Sequence, residues 1–98
     1  MEWDLGFNHN NKSYQVRVAV EYQDDKKMMV RVHGHRGTLL FECNYPLVRG
    51  DGPDAKVIWI LREGKLFFSD EKERIRFEKT FLLALKQLLQ VQFPAIEK

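Results

Sequence analysis

The sequence predicts an α+β fold, in which an antiparallel meander sheet of five to six strands has one C-terminal helix packed across it. Apolar and polar residues alternate through most of the first 43 residues, as is typical of half-buried strands. Residues 70–93 instead repeat their apolar side chains at helical spacing. No internal repeat or linker divides the chain, so we expect residues 1–98 to form a single domain.

Four alternating runs predict the first strands of the sheet. Turn-forming residues separate these runs, which cover residues 2–7, 14–22, 28–33 and 39–43. Strand register follows from the need to keep the valines on one face. That need predicts pairing of Val20 with Val30 across the three-residue loop 24–26, and of Val32 with Leu39 across an even loop.

The predicted registers also specify the outer face of the sheet, provided that no bulge interrupts the ladders. Three rows of neighbouring side chains result, and each row crosses three strands. The rows are Arg17 with His33 and Thr38, Ala19 with Arg31 and Leu40, and Glu21 with Met29 and Glu42.

The segment between the fourth strand and the helix is less regular. Residues 44–56 contain two prolines and two glycines and predict a long ordered loop. Residues 57–61 are apolar on both faces, which predicts a central or doubly covered strand. A turn at Glu63 and Gly64 then predicts a return strand at 66–68, with Leu66 opposite Leu61 and Phe67 opposite Ile60.

The helix prediction rests on an apolar side with a polar side opposite. Asp70 and Glu73 match a capping box at its start, and Pro94 ends it. Arg74 and Glu78 interrupt the apolar side, and we expect them to pair at i, i+4. The apolar side consists of Phe77, Phe81, Leu82, Ala84, Leu85, Leu88 and Leu89.

Composition excludes several classes of protein. Sixteen basic and fourteen acidic residues leave a net charge of +2, too small by itself to indicate a nucleic-acid or membrane partner. Cys43 is the only cysteine, so no internal disulfide is expected and a reducing compartment is favoured. The N-terminal residues carry acid where a signal peptide carries base, and no stretch approaches a membrane span. We therefore expect a cytoplasmic protein.

The apolar residues outnumber what one helix can cover. In the predicted registers five of them point away from the helix, namely Met29, Leu40, Ile58, Ile60 and Phe67. An exposed patch of this size usually marks a partner site. Either the sheet curls into a barrel-like roll, or a second copy of the chain covers the far face. We therefore predict a non-enzymatic protein-interaction module of unknown partner, or one that self-associates as a homodimer through this face.

Binding of single-stranded nucleic acid is the alternative. The cationic end of the outer face would supply contacts to phosphates, and Tyr45 or Trp59 would stack on bases; the cationic residues are Arg17, Arg31, His33, His35 and Arg36. PUR repeats and related modules share the order of a four-stranded meander and a helix, although none of their sequence motifs is present. Acidic residues at the other end of the same hairpin argue against a uniformly basic groove.

No catalytic, cofactor or metal site emerges from the sequence. His33 and His35, with His9 and Cys43, are residue types that bind zinc. The predicted hairpin separates them, because His33 ends a strand, His35 lies in the turn and Cys43 lies at the far end on the core face. Cys43 is expected to be a small core residue, since a reactive thiolate needs an accessible, electropositive setting.

Overall fold

The protein forms an open, five-stranded antiparallel sheet with a long helix on one face. The structure is a computed structural model that describes residues 1–35, 37–66 and 68–94. The strands are neighbours in chain order, with β1 and β5 at the edges, so the α+β meander is confirmed and the curled roll is wrong. The elements are β1 (Glu2–His9), β2 (Lys12–Gln23), β3 (Met28–Gly34), β4 (Gly37–Cys43), α1 (Tyr45–Val48), β5 (Trp59–Glu63) and α2 (Glu71–Gln92).

The registers of the central strands agree with the valine pattern. Val20 pairs with Val30, and Val32 pairs with Leu39. Between β1 and β2 the turn is made by Asn10 and Asn11, which both have positive φ. Two such residues form the tight hairpin turn whose twist matches that of the strands, and asparagine tolerates this backbone conformation better than most residues.

A bulge in β2 corrects one predicted row of the outer face. Between Val20 and Tyr22 the register with β3 shifts by one residue, so Met29 lies opposite Tyr22 and not opposite Glu21. Tyr22 consequently moves to the outer face. The loop that follows has four residues and not the predicted three, and in it Asp24 N–H donates to the Lys27 carbonyl at 3.0 Å. The extra residue of the bulge compensates for the longer loop, so Val20 still pairs with Val30.

The region between β4 and α2 differs most from its predicted form. The excursion at residues 44–58 contains the single-turn helix α1. The strand predicted at 57–61 forms two residues later, as β5, and it lies at the edge of the sheet, so a central or doubly covered position is wrong. Leu66 and Phe68 are not in a strand, so the return strand is not formed there. Phe67 lies outside the described residues.

The predicted helix is confirmed as α2, and its apolar side forms much of the core. Phe77, Phe81, Leu85 and Leu89 are buried. Asp70 caps the first turn by accepting the Lys72 N–H at 2.9 Å. The reciprocal half of the capping box is replaced, since Glu73 accepts a hydrogen bond from Asn10 in the β1–β2 turn at 3.1 Å. Arg74 and Glu78 pair as predicted, with Arg74 Nη1 and Glu78 Oε2 separated by 2.9 Å.

One helix covers only part of the sheet. Five strands spaced about 4.8 Å apart span roughly 19 Å, whereas a helix with its side chains is roughly 10–12 Å wide. The helix α2 lies nearest to β1, and Phe81 reaches as far as Phe41 on β4, with ring centroids 5.9 Å apart. The remaining inner face therefore needs a second cover.

The excursion at 44–58 is that second cover at one end of the sheet. Tyr45 is buried, and its hydroxyl donates to the Phe93 carbonyl at 2.6 Å. Gln90 donates to the Gly52 carbonyl at 3.1 Å, which ties the excursion to the last turns of α2. Within the described ranges, no helix is long and apolar enough to cross a membrane.

Truncating a buried leucine of α2 should strongly destabilise the fold. Leu85 is fully buried, and we expect Leu85→Ala to lower the free energy of unfolding by about 2–5 kcal/mol because it leaves a cavity. Leu83 is exposed on the opposite side of the helix, so Leu83→Ala should change the free energy of unfolding by less than about 0.5 kcal/mol. Urea denaturation of both variants measures the difference. Equal losses would contradict the orientation of α2.

Gly64 should be intolerant of any side chain. It has φ +89°, and a Cβ atom there would lie 2.5 Å from the Thr38 carbonyl oxygen on β4. We expect Gly64→Ala to cost about 1–3 kcal/mol of unfolding free energy through backbone strain. Gly50 has open space at its Cβ position and no positive φ, so Gly50→Ala is the matched control. Thermal unfolding that is the same for both variants would show that Gly64 does not pack on β4.

Candidate interface at the outer face and the edge strand

The outer face of the sheet carries a network of ion pairs at its centre. Arg31, whose side chain is 20 % exposed, bonds Glu21 through two nitrogens at 2.6 and 3.1 Å and Glu63 through a third at 2.9 Å. Arg62 reaches Glu42 at 3.2 Å. The hydrogen bonds that Arg31 donates to Glu21 and Glu63 raise the pKa of Arg31. Arg31 is thus fully engaged with carboxylates of its own chain.

Two of these three ion pairs involve a residue at a bulge. The bulge in β2 contains Glu21, and a second register shift, between β4 and β5, leaves Arg62 without an opposite residue. A bulge re-aims side chains, and here each bulged residue extends over the outer face to a partner of opposite charge. Sequence alternation alone cannot show this, because the pattern is continuous through both positions.

The predicted apolar patch divides between buried and exposed positions. Leu40 lies opposite both Arg31 and Glu63 and is only 7 % exposed. Met29 is half-buried. Ile58 and Ile60 are 63 % and 41 % exposed. Leu40 therefore offers almost no surface to a partner, whereas the two isoleucines at the edge offer a large one.

The cationic candidates for nucleic-acid binding are partly brought together. Arg17 and His33 are neighbours on β2 and β3 and line a shallow depression of about 280 Å³ with His35. Asp4 lines the same depression, and its carboxylate is 3.4 Å from Arg17. Arg36 lies outside the described residues.

The two predicted stacking aromatics do not face this depression. Tyr45 is buried beneath the end of α2, where desolvation raises its pKa. Trp59 packs edge-on against Phe41 in the core, with ring centroids 5.9 Å apart. Their proposed role in stacking on bases is wrong, because both rings are on the inner side of the sheet.

The candidate metal ligands are spread over the molecule. His33 lies on the outer face beside Thr38, while Cys43 is buried in the core, where burial raises the pKa of its thiol to about 11. His9 lies under α2 with its Nδ1 atom 3.4 Å from the Thr80 hydroxyl. Within the described part of the chain, no cluster of three or more His, Cys, Asp or Glu residues could hold a metal ion.

Comparisons with known proteins give no indication of function. Comparison of the chain with protein-family models, with curated proteins and with solved structures finds no match in any of the three. Function therefore has to be inferred from the chemistry and geometry of the residues themselves.

The edge strand β5 and Ile58, which directly precedes it, carry exposed apolar side chains. Ile58, Ile60 and Leu61 are all exposed, and the last of them is 39 % exposed. Of the strands that the structure describes, only β4 pairs with β5. The backbone groups on the far side of β5 are thus available to another strand. Sequence reasoning found two of these residues but placed them on a covered strand.

The Glu21–Arg31 pair should make stability depend on pH. The hydrogen bond from Arg31 lowers the pKa of Glu21 from its ordinary value of 4.5. A carboxyl with a lower pKa in the folded state stabilises the fold above its unfolded pKa, and this stabilisation is lost as the pH falls through the folded pKa. We expect Glu21→Gln to lower the free energy of unfolding at neutral pH, and the difference from wild type to shrink below about pH 4.5.

Urea denaturation at several pH values measures this effect. Glu2→Gln is the control, because Glu2 is 3.8 Å from its partner Arg17 and both side chains are more than half exposed; exposed pairs of this kind contribute little. A deficit for Glu21→Gln that stays constant from neutral pH to about pH 3 would contradict the linkage.

Proposed function

We propose that this chain is a non-enzymatic protein-interaction module whose partner is a second copy of itself, joined edge to edge through β5. The observation that supports this proposal is an apolar edge strand with Ile58, Ile60 and Leu61 exposed. An exposed edge presents unpaired N–H and C=O groups that readily pair with another strand. Strand addition of this kind is a common mode of protein recognition.

The edge of β5 lacks the charges that usually guard such strands. Natural edge strands carry outward lysines, prolines or inward charges that prevent pairing. On β5 the two charged residues, Arg62 and Glu63, are engaged with Glu42 and Arg31 of their own sheet. Lys56 is exposed but precedes the apolar run. The central part of the strand is therefore open to a partner.

The opposite edge is less suited to pairing. β1 carries Glu2 and Asp4 on the outer face, both at least half exposed, and α2 lies nearest to this strand. A contact between β1 and β5 would also be head-to-tail, and such contacts build rings or open filaments in place of a dimer. Two copies of β5 that pair antiparallel about a twofold axis near Ile60 form a closed dimer with a continuous ten-stranded sheet.

A stable interface buries on the order of 1,200–2,000 Å² in total, more than a five-residue strand provides. Ile58, which directly precedes β5, and Leu61 add exposed apolar area beside Ile60 at the same edge.

Ion pairing weakens the case for nucleic acid on the same sheet. Arg31 and Arg17 both have carboxylate partners within their own chain. A protein that binds phosphates must exchange such partners for the ligand, and its binding face is more uniformly basic. The apolar edge, in contrast, needs no rearrangement before it pairs.

A charge at the centre of the edge should abolish the dimer. We expect wild type to sediment at twice the 11.7 kDa chain mass at micromolar to millimolar concentration, and Ile60→Lys to sediment as a monomer because the two lysines would lie opposite each other across the twofold axis and repel. Val91→Lys is the matched control, since Val91 is 73 % exposed on α2. A wild type that stays monomeric throughout, or a dimer that survives Ile60→Lys, would overturn the proposal.

A cysteine at the same position tests the geometry of pairing. Opposite residues of an antiparallel pair have Cα atoms about 4.5–5.5 Å apart, within the range of about 4.4–6.8 Å that a disulfide spans. Under mild oxidation Ile60→Cys should form a covalent dimer, whereas Val91→Cys should not. Equal cross-linking of the two variants would point to random collision in place of a twofold β5 contact.

A further inference from the structure

A large apolar groove opens on the inner face of the sheet, at the end opposite the excursion. It has a volume of about 1280 Å³ and lies between the sheet, the segment that leaves β5 and the first turns of α2. Typical small-molecule pockets have volumes of roughly 300–1,000 Å³, so the groove is large enough for a small-molecule ligand. Its apolar lining includes Phe7, Tyr14, Leu39, Leu66, Phe68 and Phe77.

The groove follows from the incomplete cover of the sheet. At the other end, Tyr45 and Gln90 tie the excursion to α2. At this end, Gly64 lies against Thr38 and Leu39 of β4, and Lys65, Leu66, Phe68 and Ser69 line the groove. The aromatic walls are held by mutual packing, with Phe7 stacked on Tyr14 at 5.3 Å and Phe68 tilted against Phe77 at 5.1 Å between ring centroids. The walls are therefore formed before any ligand arrives.

The charges at the groove all have one sign. Lys12 and Lys65 line it, and no carboxylate does so within residues 1–35, 37–66 and 68–94. Elsewhere on the sheet, cations and carboxylates are interleaved as ion pairs. An apolar channel with cations at its rim is complementary to a ligand that has a hydrocarbon chain and an anionic head.

We propose that this groove binds a single-chain anionic amphiphile, with its hydrocarbon chain among the aromatic side chains and its carboxylate beside Lys12 and Lys65. The apolar walls supply most of the affinity by removing the hydrocarbon chain from water. The lysines select the charged head and orient the chain. This site lies on the inner face of the sheet, so it does not depend on pairing of β5.

Isothermal titration with decanoate below its micellar concentration tests the proposal. We expect saturable binding of one decanoate per chain, weaker binding of decan-1-ol, which has the same chain without charge, and no detectable binding of butyrate, which has the same head without the chain. Proton NMR should show Overhauser contacts from the decanoate chain to the Phe7 and Tyr14 rings. No decanoate binding, or butyrate binding of equal strength, overturns the proposal.

Charge reversal at the rim tests the role of the lysines. The double variant Lys12→Glu with Lys65→Glu should weaken decanoate binding by at least about tenfold and leave decan-1-ol binding unchanged. The control, Lys26→Glu with Lys79→Glu, makes the same change of net charge at exposed positions that do not line the groove. Equal affinity of the two double variants for decanoate overturns the assignment of the head group, and thermal unfolding of both shows whether each is folded.

Discussion

The architecture depends on one geometric constraint: a single helix is too narrow to cover a five-stranded sheet. The buried side of α2 seals the region next to β1 and the centre of the core, where Val18, Val30 and Leu85 have no exposed surface. The excursion at 44–58 covers one remaining end, and its attachment to α2 uses backbone carbonyls as acceptors. At the other end, the segment after β5 covers the sheet only partly, and the apolar groove remains. The core and the groove therefore have the same origin.

The outer face meets the opposite problem, since no element of the described chain packs on it. Ion pairs cover the centre of this face. Arg31 extends between Glu21 and Glu63, and Leu40, which is opposite both Arg31 and Glu63, is almost completely shielded from water. Long side chains such as arginine can cover apolar surface with their stems while the charged end stays in contact with polar groups. The centre of the outer face is thus covered within the monomer, whereas Tyr22 on β2 and Ile58 and Ile60 near the edge remain exposed.

The two edges of the sheet are consequently unequal. β1 has acidic residues outside and α2 nearby, while β5 is apolar and has its charges directed back to its own sheet. This asymmetry is the basis of the proposed closed pairing of two β5 strands. The groove carries a second asymmetry, because its cations are not matched by carboxylates of the described chain. The edge and the groove are distinct surfaces, with different chemistry and with different proposed partners.

The sequence by itself determined the type and order of the main elements, the buried side of α2 and the valine registers. It could do so because each of these depends on a local period, 2.0 for strands and 3.6 for the helix. The structure alone decided the bulges at Glu21 and Arg62, the edge position of β5, the partner of Glu73 and the groove. A bulge and a longer loop compensate each other, so the register of Val20 with Val30 is the same with or without them. Whether an apolar strand is central or at an edge depends on which segments pair beside it, and Leu66 and Phe68 have the composition of a strand but lie in none. Such outcomes are set by competition between distant segments for the same surface, and periodicity within one segment carries no information about that competition.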